Sequence, residues 1–358
     1  MRNLVCLLDL PNPLHGMSLV NKMMVDKLCS DTCVINSCPS FAAKYFPSKN
    51  WYLIKIGYSV LVFVRLFLVL LFRRRVVLYR PINGGGGQVF DIFYLILARI
   101  FCSRIYIHHH SFQYLNSKSK IFSALVGLIG RDARHIVLGR SMKDRLVNLY
   151  GVSPDMVRVV SNSSFFKAGR NSDLNCNQSL VIGHLANLCV AKGLKTYVDL
   201  CLKLKSSGVN FKPILAGPAH DIEAINLVDL FVANFGLDSY WGAVYGEKKD
   251  EFFSSLDAFL FMSEYENEAE PLVLYEAAKS GALIYSSSRG CMGDVTSALH
   301  GKVFKKGYTV EDVYDQLVFD MKSGVFNSMV CRERIENYDS VVLLNLSDLD
   351  NLINELES

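Results

Sequence analysis

"RIYIHHHSFQYLNSKSKIFSALVGLIGRDARHIVLG", residues 104–139, sets two short β-rich runs on either side of a helical one. The runs 104–110 and 135–139 are rich in Ile, Val and aromatic residues, and 117–130 carries apolar residues at helical spacing. Consecutive strands joined through a helix must pair in parallel, because the crossover returns the chain to the same edge of the sheet.

The same alternation runs outward in both directions. Towards the amino end, strands are expected at 4–10, 32–37 and 76–80, with helices near 18–29, 54–73 and 88–102. A helix at 140–150 and a strand at 157–161 complete the first half. Strands recur at 180–186, 211–217, 256–263 and 282–287, so two sheets covered by helices on both faces are expected. Between them "SFFKAGRNSDLNCNQS", residues 164–179, is polar and poor in aliphatics, as a linker is. These patterns predict two Rossmann-like domains at 1–165 and 178–330, facing each other across a cleft, and a helical tail at 331–358 with a return to the first domain open to it.

Composition narrows the class. The chain has 358 residues, 51% apolar and 20% charged, enough for two cores and too apolar for a disordered segment. Net charge is +4 with the cations scattered apart from Arg73, Arg74 and Arg75, which argues against a nucleic-acid partner. The ten cysteines form no CxxC pair and several sit in apolar runs, so they read as small buried residues in a reducing compartment. "MRNLVCLLDL" is too short for a signal peptide and reads as the first strand of a cytoplasmic protein.

"IGYSVLVFVRLFLVLLF", residues 56–72, holds one charge, Arg65, and three arginines follow it. Seventeen residues give roughly 26 Å of helix, short of the ~30 Å hydrocarbon core, and a central Arg adds about 2.5–3.5 kcal/mol to insertion. Two readings stay open, a long core helix and an interfacial helix with Val60, Phe63 and Phe67 on its apolar face.

The chemistry concentrates in "NEAEPLVLYEAAKSG", residues 267–281. Pro271 suits the first position of a helix, and the free N–H groups from Leu272 through Val273 to Leu274 would offer a site for phosphate or sugar oxygens. Glu268 lies just before that helix, and Glu276, one and a half turns in, could accept both hydroxyls of a ribose. Glu264, Glu266 and Glu270 flank the pair and read as solvated acids. "NGGGGQ", residues 83–88, lacks the Lys-Ser/Thr of a phosphate loop and reads as a flexible strand-to-helix connection.

"MSEYENEAEPLVLYEAAKSGA" resembles the E-x7-E signature of the family 4 retaining glycosyltransferases, two-domain enzymes of the GT-B fold. "PNPLHGMSLVNK", "IHHHSF", "VVSNSS", "GHLANLCVAKGL" and "ILAGPA" are similar to other landmarks of that family, in the same order. The resemblance implies a metal-independent, cofactor-free transferase of a hexosyl or N-acetylhexosaminyl group. It would take the sugar from a UDP- or GDP-sugar to a lipid-linked glycan in bacterial O-antigen, capsule or lipopolysaccharide synthesis, at the cytoplasmic face of the inner membrane.

Carried over by position, the resemblance makes His110, Glu268 and Lys192 catalytic. Gly16, Asn187, Lys192, Glu268, Pro271, Leu272, Val273 and Glu276 would bind the donor, with Asn187 standing where the family often has Arg. His15, Gly16 and His108 fall on the acceptor side, and Ser18 is expected to cap the helix behind Gly16. The strand pattern separates His109 from His108 and His110. A sugar-nucleotide epimerase and a non-catalytic member of a glycan-assembly complex are the alternatives.

Overall fold

The computed structural model describes residues 3–45, 48–169 and 179–358. It divides into two compact units, Met1–Phe165 with Asn345–Ser358, and Phe166–Leu344. Residues 170–178 of the expected linker, with Cys176, lie outside the described residues.

The first unit is built on a parallel sheet of β1 (Leu4–Leu8), β2 (Cys33–Asn36), β3 (Val76–Ile82), β4 (Cys102–His109), β5 (Arg134–Val137) and β6 (Val157–Val159). Their spatial order is β2-β1-β3-β4-β5-β6. Every residue of β1 and β3 is buried, as expected of strands covered on both faces. The end of the long helix Ser328–Glu357 belongs to this unit from Asn345 onward. There Glu357 accepts from the Cys29 backbone N–H at 2.8 Å, and Glu355 pairs with Arg134 and, at 2.8 Å, with Arg158.

The second unit holds β7 (Leu180–Leu185), β8 (Phe211–Ala216), β9 (Ala258–Phe261), β10 (Leu283–Ser287) and β11 (Lys302–Phe304), ordered β11-β10-β9-β7-β8. The pattern at β11 was too weak to predict a strand, since it is a half-buried three-residue run at the sheet edge. In both sheets the strand order reverses beside the first strand, between β1 and β3 and between β7 and β9. Loops leaving the carboxyl ends of strands at such a reversal diverge, and the crevice they leave is where open α/β sheets bind ligands.

Buried charge locks the first sheet. Arg80, in the middle of β3 and 1% exposed, donates to Asp91 Oδ1 from Nη2 at 2.6 Å and from Nε at 3.0 Å. Its remaining nitrogen donates to Leu7 O and Ser37 Oγ at 3.0 and 2.7 Å. Burial would lower the Arg80 pKa, but Asp91 and then Asp9 raise it above the usual value, so the guanidinium stays charged. Asp91 also accepts from the Asn83 backbone at 2.9 Å, just before the glycine run, whose Gly85–Gly87 form a short 3-10 turn.

The apolar helix runs from Lys49 to Phe72, capped by Ser48, and begins five residues earlier than its hydropathy predicts because Lys49 and Asn50 interrupt the apolar pattern. Its 24 residues give about 36 Å of helix, which removes the objection to spanning that rested on length. The packing supplies a different one. Trp51, Ser59, Val62, Leu66 and Leu70 are buried against the unit, Tyr58 donates to Asn36 O at 3.3 Å, and Lys55 pairs with Asp9 at 3.3 Å. A helix docked along its length on a folded domain cannot be ringed by lipid.

The outward face differs from the expected one. Phe63 and Phe67 are half-buried, and Phe67 meets Phe101 of the neighbouring helix Gln88–Phe101 edge to face at 5.9 Å. The exposed apolar side chains include Leu53, Ile56, Val60, Leu61, Val64, Leu68, Leu71 and Phe72, continued on that neighbour by Val89, Phe93, Ile96 and Ile100. Among the nine described cysteines, Cys6, Cys38, Cys201 and Cys291 are buried as expected, whereas Cys29 is exposed.

Candidate active site

At the reversal of the second sheet, the loop after β7 carries Asn187 and Lys192, and the loop after β9 carries Glu268. The two loops are stitched together, with the Glu264 backbone N–H donating to Ala191 O at 2.8 Å. Gly193 has φ +90, and a Cβ there would lie 2.8 Å from the backbone of Met262, so the close approach of the loops requires glycine. Lys192 and Glu268, 76 residues apart, therefore meet as an ion pair. Their side chains are 22% and 10% exposed. Ser263 Oγ donates to the same Glu268 oxygen at 3.3 Å, and the Lys192 ammonium lies 4.6 Å from the Tyr265 ring centroid.

The helix Leu272–Lys279 follows at once. Pro271 is its N-cap with ψ 131, one position earlier than expected, and no side chain caps the helix start. Leu274 N already bonds Pro271 O at 3.3 Å, so the unspent first-turn donors reduce to those of Leu272 and Val273. Glu276 does not have both oxygens available for a diol. Oε1 accepts from Lys249 Nζ at 2.6 Å, and Oε2 is buried with no hydrogen-bond partner among the described residues. Glu264 and Glu266 are exposed as expected, but Glu270 is 5% exposed and accepts from the Tyr275 hydroxyl at 2.6 Å, which makes it a brace of the helix rather than a solvated acid.

In the first unit, the loop after β1 leads into the helix Gly16–Lys27. His15, rather than Ser18, is its N-cap, and the two form a capping box: Ser18 N donates to His15 Nδ1 at 3.3 Å and His15 N donates to Ser18 Oγ at 3.0 Å. Because Nδ1 accepts, the neutral ring carries its proton on Nε2. Burial holds the His15 pKa below its ordinary value, with Asp9 opposing and Lys55 assisting. Gly16 is exposed, with open space where a Cβ would be.

The three histidines separate as the strand pattern requires. His109 bonds Tyr114 and His135 at 2.9 and 3.0 Å on one face and belongs to the core. On the other, His108 and His110 lie with ring centroids 4.0 Å apart. His110 is half-buried, its Nε2 has no partner among the described residues, and burial, with His15 adding, pushes its pKa down to about 3. His108 is only 1% exposed and its Nδ1 is 2.6 Å from the Tyr79 hydroxyl. That burial corrects the expectation of an acceptor-side His108, which lies under His110 instead.

Sequence reasoning missed Lys249, one of several cations in "EKKDEFF", because nothing in that run distinguishes it. It also missed the group Asp9, Ser37, Lys55, Arg80 and Asp91, although an Arg inside the apolar run "VVLYR" is a signal that a buried partner exists. Among the described residues, no three His, Cys, Asp or Glu side chains are grouped to hold a metal ion.

Two parallel sheets with these strand orders and helices on both faces are the GT-B fold. Three similar solved structures share it. Anabaena HepE in complex with UDP-glucose is 13% identical, with 98% of this chain and 99% of that one covered at a TM-score of 0.70. Sucrose-phosphate synthase from Thermosynechococcus elongatus is 12% identical, with 99% of each chain covered at 0.72. The lipopolysaccharide outer core galactosyltransferase WaaB is 15% identical, with 98% and 99% covered at 0.66. At such identities the likeness is one of fold. No family model and no curated protein matches the sequence.

Proposed function

We propose that the chain is a retaining glycosyltransferase that moves a hexosyl or N-acetylhexosaminyl group from a UDP- or GDP-sugar to a lipid-linked glycan of a bacterial surface polysaccharide. The observation that carries this reading is the Lys192–Glu268 pair at the reversal of the second sheet, beside the uncapped start of Leu272–Lys279, with Glu276 further along the same helix. Such a site offers a cation and first-turn N–H groups to a diphosphate and carboxylates to sugar hydroxyls.

In the reaction, the bond from the sugar's anomeric carbon to the diphosphate oxygen breaks, and a bond to the acceptor oxygen forms on the same face. The acceptor's proton passes to an oxygen of the departing diphosphate. Lys192 stabilises the negative charge that grows on that diphosphate, which is the role a metal fills in other transferases. Asn187 assists it as a hydrogen-bond donor, Glu268 holds the sugar, and the backbone N–H groups of Leu272 and Val273, just past Pro271, hold phosphate. Acceptor-side contacts come from His15 and Gly16, and a neutral His110 donates to or accepts from the sugar without changing charge between pH 5 and 9, given its pKa of about 3.

The exposed face formed by Leu53, Val60, Leu61, Leu68 and Ile100, with Arg65, Arg74 and Arg99 also exposed, suits attachment to the anionic cytoplasmic surface of a membrane. The wild type is expected to sediment with phosphatidylglycerol vesicles, and Leu61→Asp/Leu68→Asp/Ile100→Asp to stay in the supernatant. Equal sedimentation would remove the membrane from the account.

The activity is tested by offering UDP- and GDP-sugars with a lipid-diphosphate acceptor and following product mass and anomeric configuration. One donor should add a single sugar with its configuration kept. If no donor raises the melting temperature and none is transferred, the proposal fails.

A further inference from the structure

Lys55 takes no part in the chemistry above, yet it reaches the acceptor side through a single neighbour. It belongs to the apolar helix Lys49–Phe72, and its ammonium, on a side chain 15% exposed, lies 3.3 Å from Asp9 Oδ2. Asp9 directly follows β1 and is 5% exposed. Ser37 Oγ donates to its Oδ1, and Asn21 of the helix Gly16–Lys27 donates to its backbone oxygen at 2.9 Å. The carboxylate is thus tied to the helix whose start His15 caps.

His15 can cap that helix only as a neutral ring. Its Nδ1 accepts the Ser18 N–H at 3.3 Å, and a proton on Nδ1 would set two donors against each other. Burial disfavours the charged ring, whereas Asp9 favours it and Lys55 disfavours it again. His110, just past β4, is also coupled to this group, and burial, with His15 adding, keeps it uncharged. The turn Asn162–Phe165, packed on the same helix, brings no titratable side chain.

We infer that Lys55 is a positioning residue for the acceptor side: paired with Asp9, it cancels that carboxylate's pull on a proton, so that His15 stays neutral and holds the start of Gly16–Lys27. The inference rests on the proposed placing of His15 and Gly16 beside the acceptor. As pH falls, His15 takes up a proton and the Ser18 bond is lost. Without Lys55 the Asp9 charge acts unopposed, and the same loss comes at a higher pH. Burial works against an ionised Asp9, but Lys55, then Arg80 and the Ser37 hydroxyl, hold its pKa below the usual value. The last two remain when Lys55 is replaced, so the carboxylate keeps its charge.

An NMR titration of the histidine Cε1–H signals on the full chain, with His15 assigned through His15→Gln, reads this directly, and kcat/KM from pH 5 to 8.5 reads its consequence. In Lys55→Met the His15 midpoint should rise. The ratio of activity at pH 5.5 to that at pH 8 should fall about threefold or more below the wild-type ratio. Lys55→Arg, which keeps the charge, should retain the wild-type midpoint. Asp9→Asn/Lys55→Met, which removes the pull together with its brake, should return the midpoint most of the way.

An unchanged or lower midpoint in Lys55→Met overturns the inference, whatever stability that variant loses. A midpoint that rises while the activity ratio stays at the wild-type value overturns it as well, because the pair then does not position the acceptor side. Should Lys55→Met not fold, Asp9→Asn alone should lower the midpoint, and no change there is equally fatal. If no variant transfers a sugar from any donor, the transferase reading fails, and the His15 midpoints still decide whether Lys55 guards the cap.

Discussion

Gly290→Ala is the substitution whose effect the geometry defines most sharply. Gly290 has φ +58, and a Cβ built there would lie 2.3 Å from Glu268 O and 2.8 Å from Ala269 O. Carbon and carbonyl oxygen rest at about 3.3–3.6 Å, so the loop bearing Glu268 must retreat by about 1 Å. The loop cannot do so freely, because the Cys291 N–H donates to Ala269 O at 2.8 Å.

Adopting a left-handed backbone costs an alanine about 1–2 kcal/mol, and weakening that hydrogen bond adds about 1 kcal/mol or more. The sum, about 2–4 kcal/mol, corresponds to a melting temperature lower by roughly 4–16 °C for a unit of this size. A carboxylate displaced by ~1 Å from a reacting centre costs about 100-fold in kcat/KM.

Gly307→Ala is the matched control. Gly307 also has positive φ, +94, but nothing lies within 4 Å of its added Cβ, so it carries the conformational cost without the clash. Differential scanning calorimetry and donor titration on both variants separate the two contributions. Equal losses of stability and of donor affinity in the two would refute the claim that Gly290 holds Glu268 in place.

Three further outcomes follow from the same structure. Lys192→Ala should lower kcat by roughly 10²–10³-fold and, because it leaves the buried Glu268 carboxylate without its cation, lower the melting temperature as well; a loss of stability without loss of rate would give Lys192 a structural role only. Arg80→Met leaves Asp91 buried without its cation and should cost about 3–5 kcal/mol by urea unfolding, whereas Arg80→Met/Asp91→Leu should cost less than the two single changes added. Burial lowers the pKa of His135 and of His184 to about 4, below the ~6.5 of the unfolded chain. Between those values the unfolded state alone takes up the proton, so the stability that each contributes is complete above about pH 6.5 and falls by about 2 kcal/mol by pH 5; urea midpoints unchanged from pH 7.5 to pH 5 would contradict this.

The sequence by itself determined the alternation of strands and helices. Burial on both faces leaves an unbroken apolar run and a 3.6-residue period leaves its own pattern, and each is a local property that survives without coordinates. It also marked Glu268, Pro271 and Glu276, because a proline between two acids at the head of an apolar helix is a local pattern too.

Tertiary structure decided which groups meet. Lys192 reaches Glu268 across 76 residues and Lys249 reaches Glu276 across 27, and no periodicity encodes either encounter. It moved the exposed stripe of the apolar helix off Phe63 and Phe67, since a helix apolar on every side does not announce which side its neighbour covers. It also turned His108 from a surface ligand into a buried support for His110: strand alternation assigns a side chain to a face, but only the layers packed on that face decide whether water reaches it.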